Sequence, residues 1–346
     1  MVLNIGKAAA VTYSDAPLFQ DVASYTTSIT ANNDLADIYY PNPSNLKTSN
    51  YSFPLVILLQ GANIDKSNYS NYANLVARYG FVVVVPNHLR TSPQTGRTGL
   101  LPEPSQINAV LSQIKTDSEN PTTPVSGIVD TQKLGLLGHS AGGYAGLAAI
   151  ANACLPFFCE DSFSRPQELK AGAFFGSFLR NLSTQEFLPI NNSGIPVALL
   201  HGTLDSINTI ETAKLTYEQI QEPPKFFVTI DGANHYGITN INDPSKSGSE
   251  KNTPTIDQDV ATETIARWSG LFLRASILGD KSAFDYVYFT GDMKDANVSV
   301  TKQIKPIPEA PLTLGVVAIS TWSVLWRLKK WLSIKTSSEV TTDCWR

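Results

Sequence analysis

A five-residue segment near the middle of the sequence has the composition expected around a nucleophilic serine in a tight turn. Residues 138–142 read Gly-His-Ser-Ala-Gly and lie between an apolar run and a run of small residues that favours a helix. The flanking glycines remove side chains that would clash in such a strained turn. The following helix would offer unpaired N–H groups to a developing oxyanion. We therefore predict that Ser140 is a nucleophile; the alternative is a glycine-rich turn without chemistry.

A nucleophilic serine needs a general base, and the sequence contains four histidines that could serve. His139 is adjacent to the serine in the turn and cannot face it. His88 and His201 end apolar strands ahead of other loops, which is typical of packing histidines. His235 follows the last apolar strand in a polar loop bracketed by glycines, so it can reach over the edge of a sheet. We predict that His235 is the base; the alternative is an exposed loop histidine.

The base in turn needs a carboxylate that holds its tautomer and stabilises the imidazolium. Asp205 lies just past the apolar run 196–200, in a glycine-containing turn ahead of a helical segment. The chain order serine, aspartate, histidine also favours Asp205. The alternative is that Asp205 only caps the helix that follows. Asp231 is the rival acid, but it is so close to His235 in sequence that we expect it to point elsewhere.

Two backbone N–H groups are expected to bind the oxyanion. The first belongs to Ala141, directly after the serine. The second belongs to the loop after the apolar run 54–59, where we predict the N–H of Ala62. Gln60 begins the same loop and is expected to support it without taking part in the chemistry.

The elements that must position these residues alternate between apolar strands and helices, which predicts an α/β fold with a mostly parallel central sheet and helices on both faces. The predicted strands are residues 35–40, 54–59, 81–85, 133–137, 171–175, 196–200 and 225–230. The predicted helices are residues 69–79, 105–116, 141–153, 209–221 and 256–277.

The composition excludes some classes of partner. The 346 residues carry a net charge of −4, so no basic excess is available for a nucleic-acid backbone. The histidines and the three cysteines show no metal-ligand spacing, and we expect no metal. Cys154 and Cys159 flank a short apolar segment; they form either a disulfide or two small buried residues.

The C-terminal part departs from the alternating pattern. We predict a catalytic domain over residues 1–290, a linker over 291–310, a hydrophobic helix over 311–333 and a polar tail over 334–346. The apolar run 312–326 is short of the roughly 20 residues that span a membrane, but snorkelling basic side chains can extend it. We predict a membrane anchor; the alternative is an amphipathic helix packed on the domain or on a membrane surface.

The basic residues after this run favour the cytoplasm, which places the domain on the opposite side of the membrane, at the cell surface. The N-terminal segment nevertheless shows no apolar stretch typical of a signal peptide. Residues 307–310 (Ile-Pro-Glu-Ala), the apolar run and the basic cluster together resemble the Pro-Glu-Pro sorting tails of exported bacterial proteins.

The central part of the sequence resembles the chlorophyllase and dienelactone-hydrolase-like branch of the α/β-hydrolases, which also contains cutinase-like polyester hydrolases. The resemblance extends over about residues 34–273. It is strongest at Gln60, Gly61, Tyr69, Tyr72 and the run 80–86. It implies the α/β-hydrolase fold and no organic cofactor. It also implies cleavage of small-molecule or lipid-like esters through an acyl-enzyme, with Ser140, Asp205, His235, Ala62 and Ala141 in the roles predicted above.

Two positions depart from this branch. Chlorophyllases usually carry a charged residue where this chain has Ala141, and polyester hydrolases often carry an aromatic residue where it has Ala62. The resemblance therefore predicts neither chlorophyll nor polyester as the substrate. An acyltransferase or a peptidase with the same triad, and a surface-anchored protein without activity, remain the alternatives.

Overall fold

The computed structural model describes residues 15–304 except 43–51, 92–95, 97, 157, 160–162 and 247. The strands are β1 (Val22–Ile29), β2 (Asp34–Pro41), β3 (Phe53–Leu59), β4 (Val82–Pro86), β5 (Leu89–Thr91), β6 (Thr98–Leu100), β7 (Val129–His139), β8 (Leu169–Phe175), β9 (Val197–Gly202), β10 (Lys225–Ile230) and β11 (Val298–Gln303). The α-helices are α1 (Ser70–Ala77), α2 (Ser105–Glu119), α3 (Ala141–Ile150), α4 (Ile210–Gln219), α5 (Gln258–Leu273), α6 (Lys281–Asp285) and α7 (Gly291–Lys294).

One twisted sheet organises the described residues, with the strand order β1-β2-β4-β3-β7-β8-β9-β10-β11. The six strands from β4 to β10 in this order are parallel, and antiparallel pairs join β1 to β2, β2 to β4 and β11 to β10 at the two edges. Strands β5 and β6 form a separate hairpin. The predicted α/β class with a mostly parallel sheet is confirmed.

Helices cover both faces of the sheet, because the parallel strands are apolar on both sides. Val56 and Leu58 of β3 lie in the apolar layer under α1 and α5. Leu55 and Ile57 point the opposite way, into the layer under α2, α3 and α4. Alternate residues of one strand therefore serve two cores, which explains why β3 reads as a continuous apolar run.

The topology places the predicted site residues along one edge of the sheet. Ser140 follows β7, Asp205 follows β9 and His235 follows β10, while Ala62 lies in the loop after β3. These strands are parallel, so their carboxyl ends meet at the same edge, where open α/β sheets bind their ligands. Strand β8 lies between β7 and β9 and separates the serine from the acid.

The C-terminal boundary of the catalytic domain is a correction to the sequence prediction. Residues 291–303 do not form a linker, because they contain α7 and the edge strand β11, which pairs with β10 over its whole length. The compact unit ends at Ile304. Most side chains of β11 are at least partly exposed, so its sequence carries little apolar signal, and backbone pairing holds it in the sheet.

The remaining C-terminal predictions lie outside the described residues, namely the helix over 311–333, the tail over 334–346 and the sorting-tail motif over 307–310. Among the residues that are described, none of the helices has the length and apolar character needed to cross a membrane. After α3, Cys154 and Cys159 are joined in a disulfide, the first of the two readings of that pair.

Candidate active site

Ser140 occupies a strained turn between β7 and α3. Its φ of 54° and ψ of −118° are sterically costly for a residue with a side chain. Two hydrogen bonds to the main chain of Ser140 hold the turn: the Ser140 N–H donates to Phe175 O at the end of β8 at 3.0 Å, and Ser140 O accepts from the Ser177 hydroxyl at 2.9 Å. The strained turn therefore places Ser140 at the edge of the sheet, and its hydrogen bonds hold the backbone in position.

The two glycines of the motif are required by close approach. A Cβ at Gly142 would lie 2.0 Å from Leu59 O at the end of β3. A Cβ at Gly138 would lie 2.7 Å from the backbone of Gly142 and Gly143. The first turn of α3 thus packs directly on the neighbouring strand ends, and the glycines avoid the clashes that side chains would cause, as expected from the sequence.

Asp205 and His235 meet in a buried hydrogen bond, with Asp205 Oδ2 2.8 Å from His235 Nδ1. The other carboxylate oxygen, Oδ1, accepts from the N–H groups of Ile207 at 2.9 Å and Asn208 at 2.8 Å. Asp205 does not cap the next helix, because the hydroxyl of Thr209 caps α4. The acid is therefore oriented by its own loop toward the histidine.

Gly176 is a site residue that the sequence analysis missed. It follows β8 with a φ of +59°, and a Cβ there would lie 3.1 Å from His235 Nδ1 and 3.2 Å from Asp205 Oδ2. A side chain at this position would press on the acid–base hydrogen bond. A glycine directly after a predicted strand was the available signal, but only the fold shows what lies opposite it.

One pocket of about 400 Å³ contains Ser140, His235 and Ala62. The rest of its lining mixes apolar and hydroxyl side chains, and includes Asn63, Ile64, Ile207, Tyr236, Ser245 and Ser249. Ala141 begins α3, where the first N–H groups have no partner within the helix. Within the described parts of the chain, neither the Ala62 N–H nor the Ala141 N–H meets an acceptor. Both remain available to an oxyanion.

His139 belongs to a buried chain of hydrogen bonds that joins two loops of the site. The Gly61 N–H donates to Tyr69 Oη at 2.7 Å, and the Tyr69 hydroxyl donates to His139 Nδ1 at 2.9 Å. His139 Nε2–H then donates to His235 O at 2.9 Å. Burial lowers the pKa of His139 well below its usual range, so the ring is neutral, with one donor and one acceptor. These hydrogen bonds thereby connect the oxyanion loop to the histidine loop.

The alternative base His201 and the alternative acid Asp231 both have other partners. His201 is fully buried, and its Nε2 lies 2.6 Å from Asn208 O and 3.6 Å from Asp205 Oδ2. Burial lowers the pKa of His201, which keeps it neutral beside Asp205. Asp231 is exposed, and its carboxylate accepts from the hydroxyl of Thr203 at 3.0 Å. Asp231 is thus engaged away from His235, as predicted from sequence.

His88 lies in a buried charge cluster beside the oxyanion loop. Its Nδ1 is 2.8 Å from Asp34 Oδ2, and its Nε2 is 3.4 Å from Glu103 Oε1. Arg90 also contacts Glu103, at 3.4 Å. The buried Gln60 amide accepts from the His88 N–H at 3.0 Å and donates to a carbonyl at the end of β4, which is the supporting role predicted for it.

Burial by itself would lower the pKa of His88, but the two carboxylates outweigh it and raise the pKa to about 9. The unfolded value is about 6.5. The folded state therefore gains stability from the protonated ring below pH about 6.5 and loses that gain as the pH rises to about 9, by roughly 3 kcal/mol.

We accordingly expect the stability difference between the wild type and His88→Gln to shrink between pH 6 and pH 9.5, by roughly 3 kcal/mol. Urea unfolding of both proteins across this range measures the difference, and groups common to both cancel. A difference that stays constant with pH would show that His88 is not held as a cation.

Comparison with known families shows a similarity for the first part of the chain. The chlorophyllase family matches residues 19–156, a stretch that runs from the start of β1 past α3. The match includes the oxyanion loop and the Ser140 turn, and it ends before Asp205 and His235. Among curated proteins, no match to the chain was found.

Chlorophyllases are a family within the α/β-hydrolase superfamily, and the sheet described above has the architecture of that superfamily. The family match also indicates a hydrolase that acts on ester bonds. The chain therefore has the architecture of the α/β-hydrolase fold, and its residues 19–156 are similar to the chlorophyllase family.

Proposed function

We propose that this protein is a serine esterase that cleaves carboxylic esters through an acyl-enzyme, with Ser140, His235 and Asp205 as its triad. The observation that carries the proposal is the 2.8 Å hydrogen bond between Asp205 and His235 beside the pocket that Ser140 and His235 share. The family match to ester hydrolases supports the same chemistry.

In the proposed mechanism, His235 takes the proton of Ser140 as the serine oxygen attacks the ester carbonyl. Asp205 accepts from Nδ1–H, so that Nε2 carries the free lone pair, and it stabilises the imidazolium that forms. The N–H groups of Ala62 and Ala141 bind the oxyanion. His235 then protonates the leaving alcohol, and a water molecule, activated by the same ring, releases the acid.

We propose small-molecule or lipid-like esters as the substrates. The pocket beside Ser140 measures about 400 Å³, within the range of small-molecule sites, and its lining is part apolar and part hydroxyl. Nitrophenyl esters of increasing acyl length provide the test. We expect hydrolysis, with kcat/KM declining once the acyl chain outgrows the pocket. If the purified protein cleaves none of these esters, the proposal fails.

We also propose that residues 311–333 anchor the protein in a membrane, with the hydrolase on the non-cytoplasmic side. The apolar run, its tryptophans and the basic cluster after it support this proposal. Because the last described strand ends at Gln303, a chain ending at Lys305 retains every described strand. We expect the full chain in the membrane fraction and the shortened chain in the soluble fraction. Equal recovery of both in the soluble fraction would exclude the anchor.

A further inference from the structure

Glu250 lies in the loop between β10 and α5, and its carboxylate contacts the two loops that carry the acid and the base. Oε2 accepts from the His235 N–H at 3.2 Å and from the Ser206 N–H at 3.2 Å. Oε1 accepts from the Asn252 N–H at 2.8 Å and from the Ser206 hydroxyl. One side chain therefore binds the residue after Asp205 and the main chain of His235 itself.

Neighbouring residues strengthen the same connection. The Lys251 N–H donates to Ser206 Oγ at 2.7 Å, and the Asn252 side-chain amide donates to Leu204 O at 3.0 Å. On the other side, the Asn234 amide donates to Asn252 O at 3.0 Å. Residues 250–252, which we call the 250–252 strap, thus join the acid loop to the histidine loop through side-chain and main-chain groups.

The hydrogen bonds that Glu250 accepts in the 250–252 strap require an ionised side chain, because a carboxylate accepts at both oxygens. Burial by itself would raise the pKa of Glu250, but the hydrogen bonds from Ser206, Asn252 and His235 outweigh it and lower the pKa below its usual value. Glu250 is therefore an acceptor for all its donors at neutral pH. Such charge-assisted hydrogen bonds are stronger than neutral ones.

We propose that Glu250 is a positioning residue that fixes His235 relative to Asp205. The inference rests on the proposed esterase function and extends it to a residue outside the triad. His139 holds the carbonyl of His235, and Glu250 holds its N–H, so both amide groups of the base are tied to other loops. A displacement of about 1 Å at a reacting group can cost about 10²-fold in rate.

Two variants test this role by steady-state kinetics with a nitrophenyl ester. Glu250→Ala removes the connection and is expected to lower kcat by about 10²-fold with little change in KM. Glu250→Gln keeps the shape but places an amide donor against an N–H donor, and we expect a loss of about tenfold in kcat. A side chain that only fills space would be replaced by glutamine without loss of kcat.

Asp295→Ala is the matched control, because this carboxylate also accepts several hydrogen bonds but contacts none of the site residues. It accepts from Trp268 Nε1 at 2.7 Å, Tyr286 Oη at 2.7 Å and Arg267 at 3.0 Å. We expect Asp295→Ala to lower the melting temperature while kcat of the folded protein stays near that of the wild type.

The outcomes separate this inference from the function on which it rests. An active wild type with reduced kcat in both Glu250 variants, beside an unaffected Asp295 control, supports the positioning role. An active wild type with unchanged kcat in Glu250→Gln overturns that role and leaves the esterase intact. A wild type that cleaves no ester overturns the proposed function itself.

Discussion

Replacing Ser140 with alanine is expected to lower ester hydrolysis by on the order of 10⁴-fold or more and to leave the fold intact. The hydroxyl is the only part removed, and the contacts that hold the turn come from the main chain, through Ser140 N and Ser140 O. Removal therefore eliminates the nucleophile without releasing the turn. The measurement is kcat/KM with a nitrophenyl ester, together with the melting temperature.

Ser245→Ala is the matched control for this change, because Ser245 lines the same pocket and loses the same hydroxyl. Its hydroxyl contacts Asp243 and Tyr236, so it is already engaged within its own loop. We expect Ser245→Ala to retain most of its activity. If Ser140→Ala, purified free of wild type, also retained most of its activity, the nucleophile would have to be another group.

Asp205→Asn is expected to reduce activity by on the order of 10⁴-fold, the size of effect seen when a triad acid becomes an amide. The structure gives the reason. Oδ1 of Asp205 accepts from two main-chain N–H groups, so the oxygen of an asparagine must take that place. The amide nitrogen then faces His235 Nδ1 and donates to it. His235 would carry its proton on Nε2 and lose the lone pair that accepts the serine proton.

Asp231→Asn is the comparison that separates the two acids. Asp231 is exposed, and its contact with the Thr203 hydroxyl can be kept by the amide oxygen of asparagine. We expect little change in kcat for this variant. Steady-state kinetics in which Asp231→Asn is the more damaging of the two would transfer the acid role to Asp231 and contradict the geometry at Asp205.

The positions of the site residues could be predicted from sequence because each follows an apolar strand. Ser140, Asp205 and His235 all lie just past parallel strands, and local patterns located those strands within a few residues. The sheet then brings their ends together without further information. The prediction of the α/β class and of the sheet edge that carries the site depended on these same local signals.

The edge strands were not predictable in the same way. Strand β1 alternates partly buried and exposed side chains, and most side chains of β11 are at least partly exposed, so neither forms an apolar run. Backbone pairing with β2 and with β10 holds these strands in place. Because the local sequence carries little of that information, it predicts a linker over residues 291–303, where the structure has α7 and β11.

The supporting residues of the site depend on contacts between distant parts of the chain. Glu250 contacts Ser206 across a long stretch of sequence, and Tyr69, just before α1, contacts His139 at the end of β7. A glutamate in a polar loop and a tyrosine at a helix start are common, so residue type and spacing give no indication of these roles. Only the folded arrangement of the loops identifies them.

Covalent labelling with a fluorophosphonate, followed by peptide mass spectrometry, tests most directly whether Ser140 is the nucleophile. Such a reagent reacts with a serine that an adjacent base has activated. We expect one adduct, on Ser140, that is absent from Ser140→Ala and forms far more slowly in His235→Ala. Ester hydrolysis that continues while Ser140 stays unlabelled, or an adduct on a different residue, would contradict the assignment of Ser140 as the nucleophile.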